Sequence, residues 1–186
     1  MVIQEQKRMS LEAFDRFVDH PDHADRLFEY IAGRVIEVPS NPYASEIAVL
    51  IATFINLFVL KHGLGRVTGA DGGYMVGGDR YAPDVAFVSK DKQARLANKG
   101  YNPLPPDLAV EVISDPASSQ EHEDLRRKIA NYLLVGTVVW VFNWQKEEAE
   151  VYTPGQPVQV YTKDETIPGG DVLPDFTLKL TDVYRD

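Results

Sequence analysis

No cysteine occurs in this chain of 186 residues. Disulfides, thiolate zinc sites and cysteine nucleophiles are excluded together, and a reducing cytoplasm suits such a chain. Histidine is scarce, with four in all. Two of them share the polar stretch His20-Pro21-Asp22-His23, which offers no third ligand for a metal. Long hydrophobic runs are also missing. The longest apolar stretch, Ile47 to Leu60, contains Thr53 and Asn56 and falls short of the roughly 20 residues a bilayer requires, so a buried helix is expected there. The first ten residues hold no export signal, which makes the cytoplasm the expected location and a membrane no expected partner. An excess of positive charge is lacking too: the net charge is −9, spread along the chain. Strong sequence-independent DNA binding through phosphate neutralisation is therefore not expected from charge alone. An enzyme whose local site is made positive by a metal and a few basic residues stays compatible with that balance.

What is present is a globular composition, 44% hydrophobic, enough for the core of a single domain over residues 1–186. Ser10 caps a short helix whose Leu11, Phe14, Phe17 and Val18 share one face. Leu27 to Ile31 and Arg34 to Val38, joined by Ala32-Gly33, read as a tight β-hairpin. The loop Pro39-Ser40-Asn41-Pro42 leads to an apolar helix from Ser45 to Lys61 that ends at Gly63. Gly69, Gly72, Gly73, Gly77 and Gly78 punctuate a meander of short strands between Arg66 and Val88. Lys90 to Pro106 reads as a surface loop with one helical turn. Leu108 to Ile113 is apolar enough for the middle of a sheet. Ser118 and Glu121 form a capping box for a helix reaching Leu134 and stopping at Gly136. Thr137 to Phe142 is a further strand, Glu150 to Tyr152 and Val158 to Tyr161 make a C-terminal hairpin, and Asp171 to Leu180 is expected to return along the surface. This order predicts one mixed sheet flanked by helices, an α/β (α+β) fold with its core at about residues 45–143. Trp140 belongs in that core and Trp144 at its edge.

Two of these strands carry an acid where a core would exclude one: Ala82-Pro83-Asp84-Val85-Ala86-Phe87-Val88 and Leu108-Ala109-Val110-Glu111-Val112-Ile113. An ionised carboxylate in an apolar strand costs several kcal/mol unless it is paired or binds metal. Alternation puts Glu111 on the face of Ala109 and Ile113, and Asp84 on that of Ala86 and Val88, with small alanines leaving space beside each acid. On neighbouring strands the two would repel by about 4 kcal/mol at an effective dielectric near 20, and Mg²⁺ or Mn²⁺ between them would turn repulsion into coordination. In the following helix Lys128 flanks the apolar stripe of Leu125, Ile129, Tyr132 and Leu133, within reach of the sheet. It can offset carboxylate charge or donate to a phosphate. Arg126 and Arg127 point more towards solvent, where a nucleic-acid backbone could meet them.

Pro83-Asp84, Glu111-Val112-Ile113 and a lysine on the next helix resemble the PD-(D/E)XK nuclease superfamily. Leu27 to Gly33, Tyr81 to Ala86, Pro106 to Ser114, Lys128 with Tyr132, and Val138 to Val141 are similar, in order and spacing, to the Uma-type restriction endonuclease family. That resemblance implies a restriction-endonuclease-like core, a Mg²⁺ or Mn²⁺ cofactor and DNA as substrate. It makes Asp84 and Glu111 metal ligands, with the carbonyl of Val112 completing the sphere. Lys128 stands in for the motif lysine, whose usual place Ile113 occupies, and Glu29 matches the family's hairpin glutamate as a third acid. Many relatives carry a histidine near the start of the apolar helix. Here that stretch is Pro42-Tyr43-Ala44-Ser45-Glu46, so no role of that histidine transfers. The acidic balance and the displaced lysine also support a second reading, a catalytically inactive nuclease-fold homo-oligomer acting as a binding module. The apolar helix keeps a homodimer open in either case.

Overall fold

Among the described residues, each of the three α-helices opens on a side chain that accepts a hydrogen bond from its first turn, so the chain marks its own helix starts. In the computed structural model, which describes residues 8–23, 26–37 and 41–185, Ser10 caps α1 (Leu11–Val18) by accepting from the Ala13 amide. The hairpin follows as β1 (Phe28–Ile31) and β2 (Arg34–Glu37), antiparallel. Val38, Pro39 and Ser40 lie outside the described residues.

α2 runs Pro42–His62 and starts three residues before the expected Ser45. Asn41 is its N-cap and Pro42 the first helical residue, where a missing N–H costs nothing. Gly63 ends it in the left-handed conformation (φ 61°), which a residue with a Cβ adopts at a penalty.

The glycine-rich region gives β3 (Gly65–Gly69), β4 (Tyr74–Val76), β5 (Asp79–Tyr81) and β6 (Val85–Ser89). They do not form one meander. β3 and β6 join a six-stranded sheet, whereas β4 and β5 join the β1–β2 hairpin in a four-stranded sheet ordered β2-β1-β5-β4. The expected single sheet is therefore divided. Gly77 and Gly78, both at positive φ, close the two-residue turn that folds β5 back on β4. The next segment, as far as Pro106, forms no helical turn. It is held instead by Asn102, buried and bonded to Gln93, Ala97 and Leu104.

β7 (Leu108–Val112) is central in the larger sheet, antiparallel to β6 and parallel to β8 (Val138–Asn143). A parallel pair needs a crossover, and α3 (Ser119–Leu134) supplies it. β9 (Glu148–Tyr152) and β10 (Gln159–Thr162) extend the sheet to the order β10-β9-β8-β7-β6-β3. β11 (Thr166–Pro168) and β12 (Thr177–Lys179) form a small hairpin.

The six-stranded sheet separates two cores. On one face Val85, Phe87, Leu108, Val110, Trp140 and Phe142 pack against α2. On the other, Ala86, Ala109, Ile113, Val139 and Val141 pack against α3 and the smaller sheet. The C-terminal segment does not run along the surface as expected. Leu173, Phe176, Leu178 and Leu180 are buried in the α2 core, with Phe176 edge-on to Phe58 at 5.2 Å. Phe176, Leu178 and Leu180 have the alternate spacing of a strand with one apolar side. Trp140 is buried and Trp144 sits half-buried at the edge against Tyr43.

α2 departs from expectation in a second way. Its inner face (Ala44, Ile47, Ala48, Ile51, Ile55, Val59) is buried, but its outer face is open to solvent. With all 21 residues counted, it is long and apolar enough to cross a bilayer by length and composition. Its packing in the core puts it to use as a half-buried layer.

Candidate active site

The pairing of β6 with β7 sets Val85 opposite Val110, which brings Asp84, the residue just before β6, to the Glu111–Val112 end of β7. Asp84 Oδ2 accepts a 2.6 Å hydrogen bond from the Val112 amide. Glu111 points to the opposite face from Val110 and Val112, under α3. There its Oε2 accepts from Lys128 Nζ at 2.6 Å and its Oε1 from the Tyr132 hydroxyl at 3.2 Å. Lys128 and Tyr132 lie four residues apart on one side of α3, so a single helix face supplies both donors.

The same ammonium is 2.9 Å from Glu29 Oε1. Glu29 stands on β1 of the smaller sheet, and its Oε1 also accepts from the Ala82 amide at 2.8 Å. The four side chains named from the sequence thus meet, although they come from β1, the start of β6, β7 and α3. They share a cavity of about 500 Å³ with Val112 and Ile113 in its wall. Glu29, Glu111 and Lys128 are each no more than 7% exposed, and Asp84 is half-buried. Ile113 takes the face that a motif lysine would occupy, and Lys128 reaches the acids from above.

Three carboxylates face one ammonium. Burial pushes the Asp84 carboxyl up to about 6, against the opposing pull of the Val112 amide and Lys128. Burial likewise raises Glu111, with Lys128 opposing and Glu29 and Asp84 adding to the rise. Burial alone would lower Lys128, but Glu111 and Glu29 outweigh it and hold the ammonium charged. The pocket is short of positive charge. Its donors are hard oxygens, which suit Mg²⁺ or Mn²⁺. Asp84 Oδ1 takes no hydrogen bond among the described residues and is available to a cation. Those residues contain no ready-made cluster of three acidic or histidine ligands.

The raised Asp84 has a consequence for stability. A carboxyl that holds its proton more tightly when folded destabilises the fold as pH rises through about 6, and does so no longer below the unfolded value near 4. Asp84→Asn keeps an oxygen for the Val112 amide and removes the charge. In chelator it is expected to be more stable than the parent by roughly 1–3 kcal/mol at pH 8, with the gap closing by about pH 4. Urea titrations across that range measure it.

A second cluster escaped the sequence reading. Asp79 of β5, 5% exposed, accepts from Tyr81 (2.8 Å), Arg127 Nε (3.2 Å), Asn131 Nδ2 (3.2 Å) and the Ala32 amide (3.3 Å). Asn131 also donates to the Tyr81 hydroxyl at 2.6 Å. Arg127 and Asn131 flank Lys128 on α3, so this network ties that helix to the sheet carrying Glu29. Arg127 is exposed, as expected, and from there pairs with the buried Asp79. Asp79→Ala removes the shared acceptor of four donors and is expected to cost about 2–4 kcal/mol, read from the chemical-denaturation midpoint.

Glu121 also differs from expectation. Ser118 accepts from the Glu121 amide, as a capping box requires, but the Glu121 carboxylate turns to the Ser114 and Asp115 amides at 2.6 and 2.8 Å. It holds the loop at the cavity rim. Asn41 fixes the same loop through the Ser114 carbonyl, and Arg34 pairs with Asp124 beside it.

Residues 11–181 match the model of the Uma2 family, described as "putative restriction endonuclease". The fold is similar to the crystal structure of "a putative nuclease belonging to DUF820" from Anabaena variabilis, with a TM-score of 0.78 and 21% identity over 95% of this chain and 97% of that one. No curated protein matches the sequence.

Proposed function

The chain belongs to the Uma2 family of restriction-endonuclease-like proteins, and from that membership we propose that it is a Mg²⁺- or Mn²⁺-dependent endonuclease that hydrolyses DNA phosphodiester bonds. The observation that carries this reading is the convergence of Asp84, Glu111 and Lys128 in one cavity, with the acids under-compensated in charge.

Asp84 and Glu111 would hold the cation, joined by the Val112 carbonyl. When bound, the cation supplies Lewis-acid polarisation of the scissile phosphate. Lys128 keeps its proton and presents a fixed positive charge where negative charge grows on the phosphorane oxygens. Tyr132 and Glu29 hold the partners of that charge: Tyr132 steadies Glu111, and Glu29 anchors the ammonium to the smaller sheet. Val112 and Ile113 in the wall limit the water that reaches the reacting groups.

The test is nicking of supercoiled plasmid by the full chain with Mg²⁺ or Mn²⁺ and with excess chelator. Cleavage is expected with either ion and is expected to vanish on chelation. A second reading, a catalytically inactive binding module, is favoured by two observations. Lys128 is engaged by two carboxylates, and the net charge of −9 gives DNA little attraction. Calorimetry separates the readings: absence of heat with millimolar Mg²⁺ and Mn²⁺ would leave only the module.

A further inference from the structure

We propose that the outer face of α2 pairs with the same face of a second copy of this chain, antiparallel about a two-fold axis near Thr53. The inference is independent of the nuclease reading. At 3.6 residues per turn, Glu46, Val49, Thr53, Leu57 and Leu60 fall on one stripe, opposite the buried Ile47, Ile51, Ile55 and Val59. On that stripe Val49, Leu57 and Leu60 are 61%, 62% and 67% exposed. A surface helix of a monomer carries its charged residues there, yet no charge occurs between Glu46 and Lys61.

Charge at the two ends selects the occupant and its direction. Glu46 closes the stripe near the N-terminus of α2 and Lys61 closes it at the C-terminus; both are exposed and have no ion-pair partner among the described residues. Antiparallel pairing sets Val49 of each copy against Leu57 of the other and brings Glu46 to the Leu60–Lys61 end of its mate. Parallel pairing would oppose Glu46 to Glu46 and Lys61 to Lys61. Thr53, small and central, allows the helices to approach closely. A bilayer is a poorer occupant, because the other side of α2 is packed in the protein core and Thr53 and Asn56 lie in the open face. One helix pair buries less than the roughly 800 Å² per partner of a standard interface, so a dimer of micromolar strength is expected. Asn41, the cap of α2, also lines the cavity, so the two cavities would lie towards opposite ends of a helix pair about 31 Å long.

Sedimentation velocity of the full chain, from low micromolar to submillimolar concentration, tests the pairing. The parent is expected to shift from monomer to dimer, and Leu57→Glu to stay monomeric with an unchanged melting temperature. Glu46→Lys is expected to weaken the dimer roughly tenfold, since two symmetric attractions become repulsions, and Glu46→Lys with Lys61→Glu to restore it. A monomer at every concentration, a dimer indifferent to Leu57→Glu, or a charge exchange without rescue would overturn the proposal. Co-sedimentation of the parent with phosphatidylcholine or phosphatidylglycerol vesicles, lost in Leu57→Glu, would replace the second copy with a lipid surface.

Discussion

Asp84→Asn is expected to reduce metal-dependent plasmid cleavage by about 10³-fold or more, because losing a ligand charge forfeits several kcal/mol of the stabilisation a cation gives the transition state. The same variant is expected to unfold at higher urea concentration than the parent at neutral pH. The two effects have opposite signs, which sets this substitution apart from ordinary damage. A variant that lost activity through a disturbed fold would also lose stability. The geometry allows the separation: Asn keeps the acceptor for the Val112 amide, so the β6–β7 junction is retained while the charge is gone. Glu111→Gln serves as a companion, since its amide still offers an oxygen to Lys128 and turns its NH2 towards the Tyr132 hydroxyl, which can accept. Persistence of cleavage at the parental rate in Asp84→Asn would remove Asp84 from the site.

Lys128→Met is expected to cost about 3–5 kcal/mol of folding stability, the range for removing one partner of a buried ion pair. Two carboxylates lose their counter-charge at once, both buried, and methionine replaces the stem but not the ammonium. The loss is expected to be largest at high pH, where Glu111 is ionised, and to shrink as Glu111 takes up its proton. Lys128→Met combined with Glu111→Gln is expected to recover part of the loss, because only Glu29 then remains unpaired. An additive double variant, measured by urea denaturation, would show that Lys128 and Glu111 are not coupled.

Much of the candidate site was legible in the sequence because its residues break local rules. Asp84 and Glu111 stand in strands that otherwise read as core, and helical spacing alone brings Lys128 over them. Asp79 broke the same rule: it opens the three-residue strand Asp79-Arg80-Tyr81, wholly buried. The strand is so short that it read as one more piece of the glycine-punctuated meander, and its acid was not singled out. Which sheet a short strand joins is decided by distant partners, here the single Tyr30–Arg80 pairing of β1 and β5, and no local pattern carries that information. The C-terminal segment is different. Phe176, Leu178 and Leu180 alternate as a one-sided strand does, and the signal for their burial was present. The outer face of α2 could not be separated from its inner face by composition, because both are apolar.

Glu29 and Lys128, in contact at the cavity, lie far apart along the chain, with β3 to β8 and α3 distributed around them. Contacts of such long sequence separation form late, since loop-closure entropy has to be met before they contribute. During synthesis the acids of β1, β6 and β7 emerge before their lysine, and the crossover helix that bears it precedes the strand β8 on which it packs. An emerging chain therefore carries scattered acids and no assembled centre. The convergence of Glu29, Glu111 and Lys128 is therefore completed only when α3 has docked, so the order of the chain delays the assembly of the cavity.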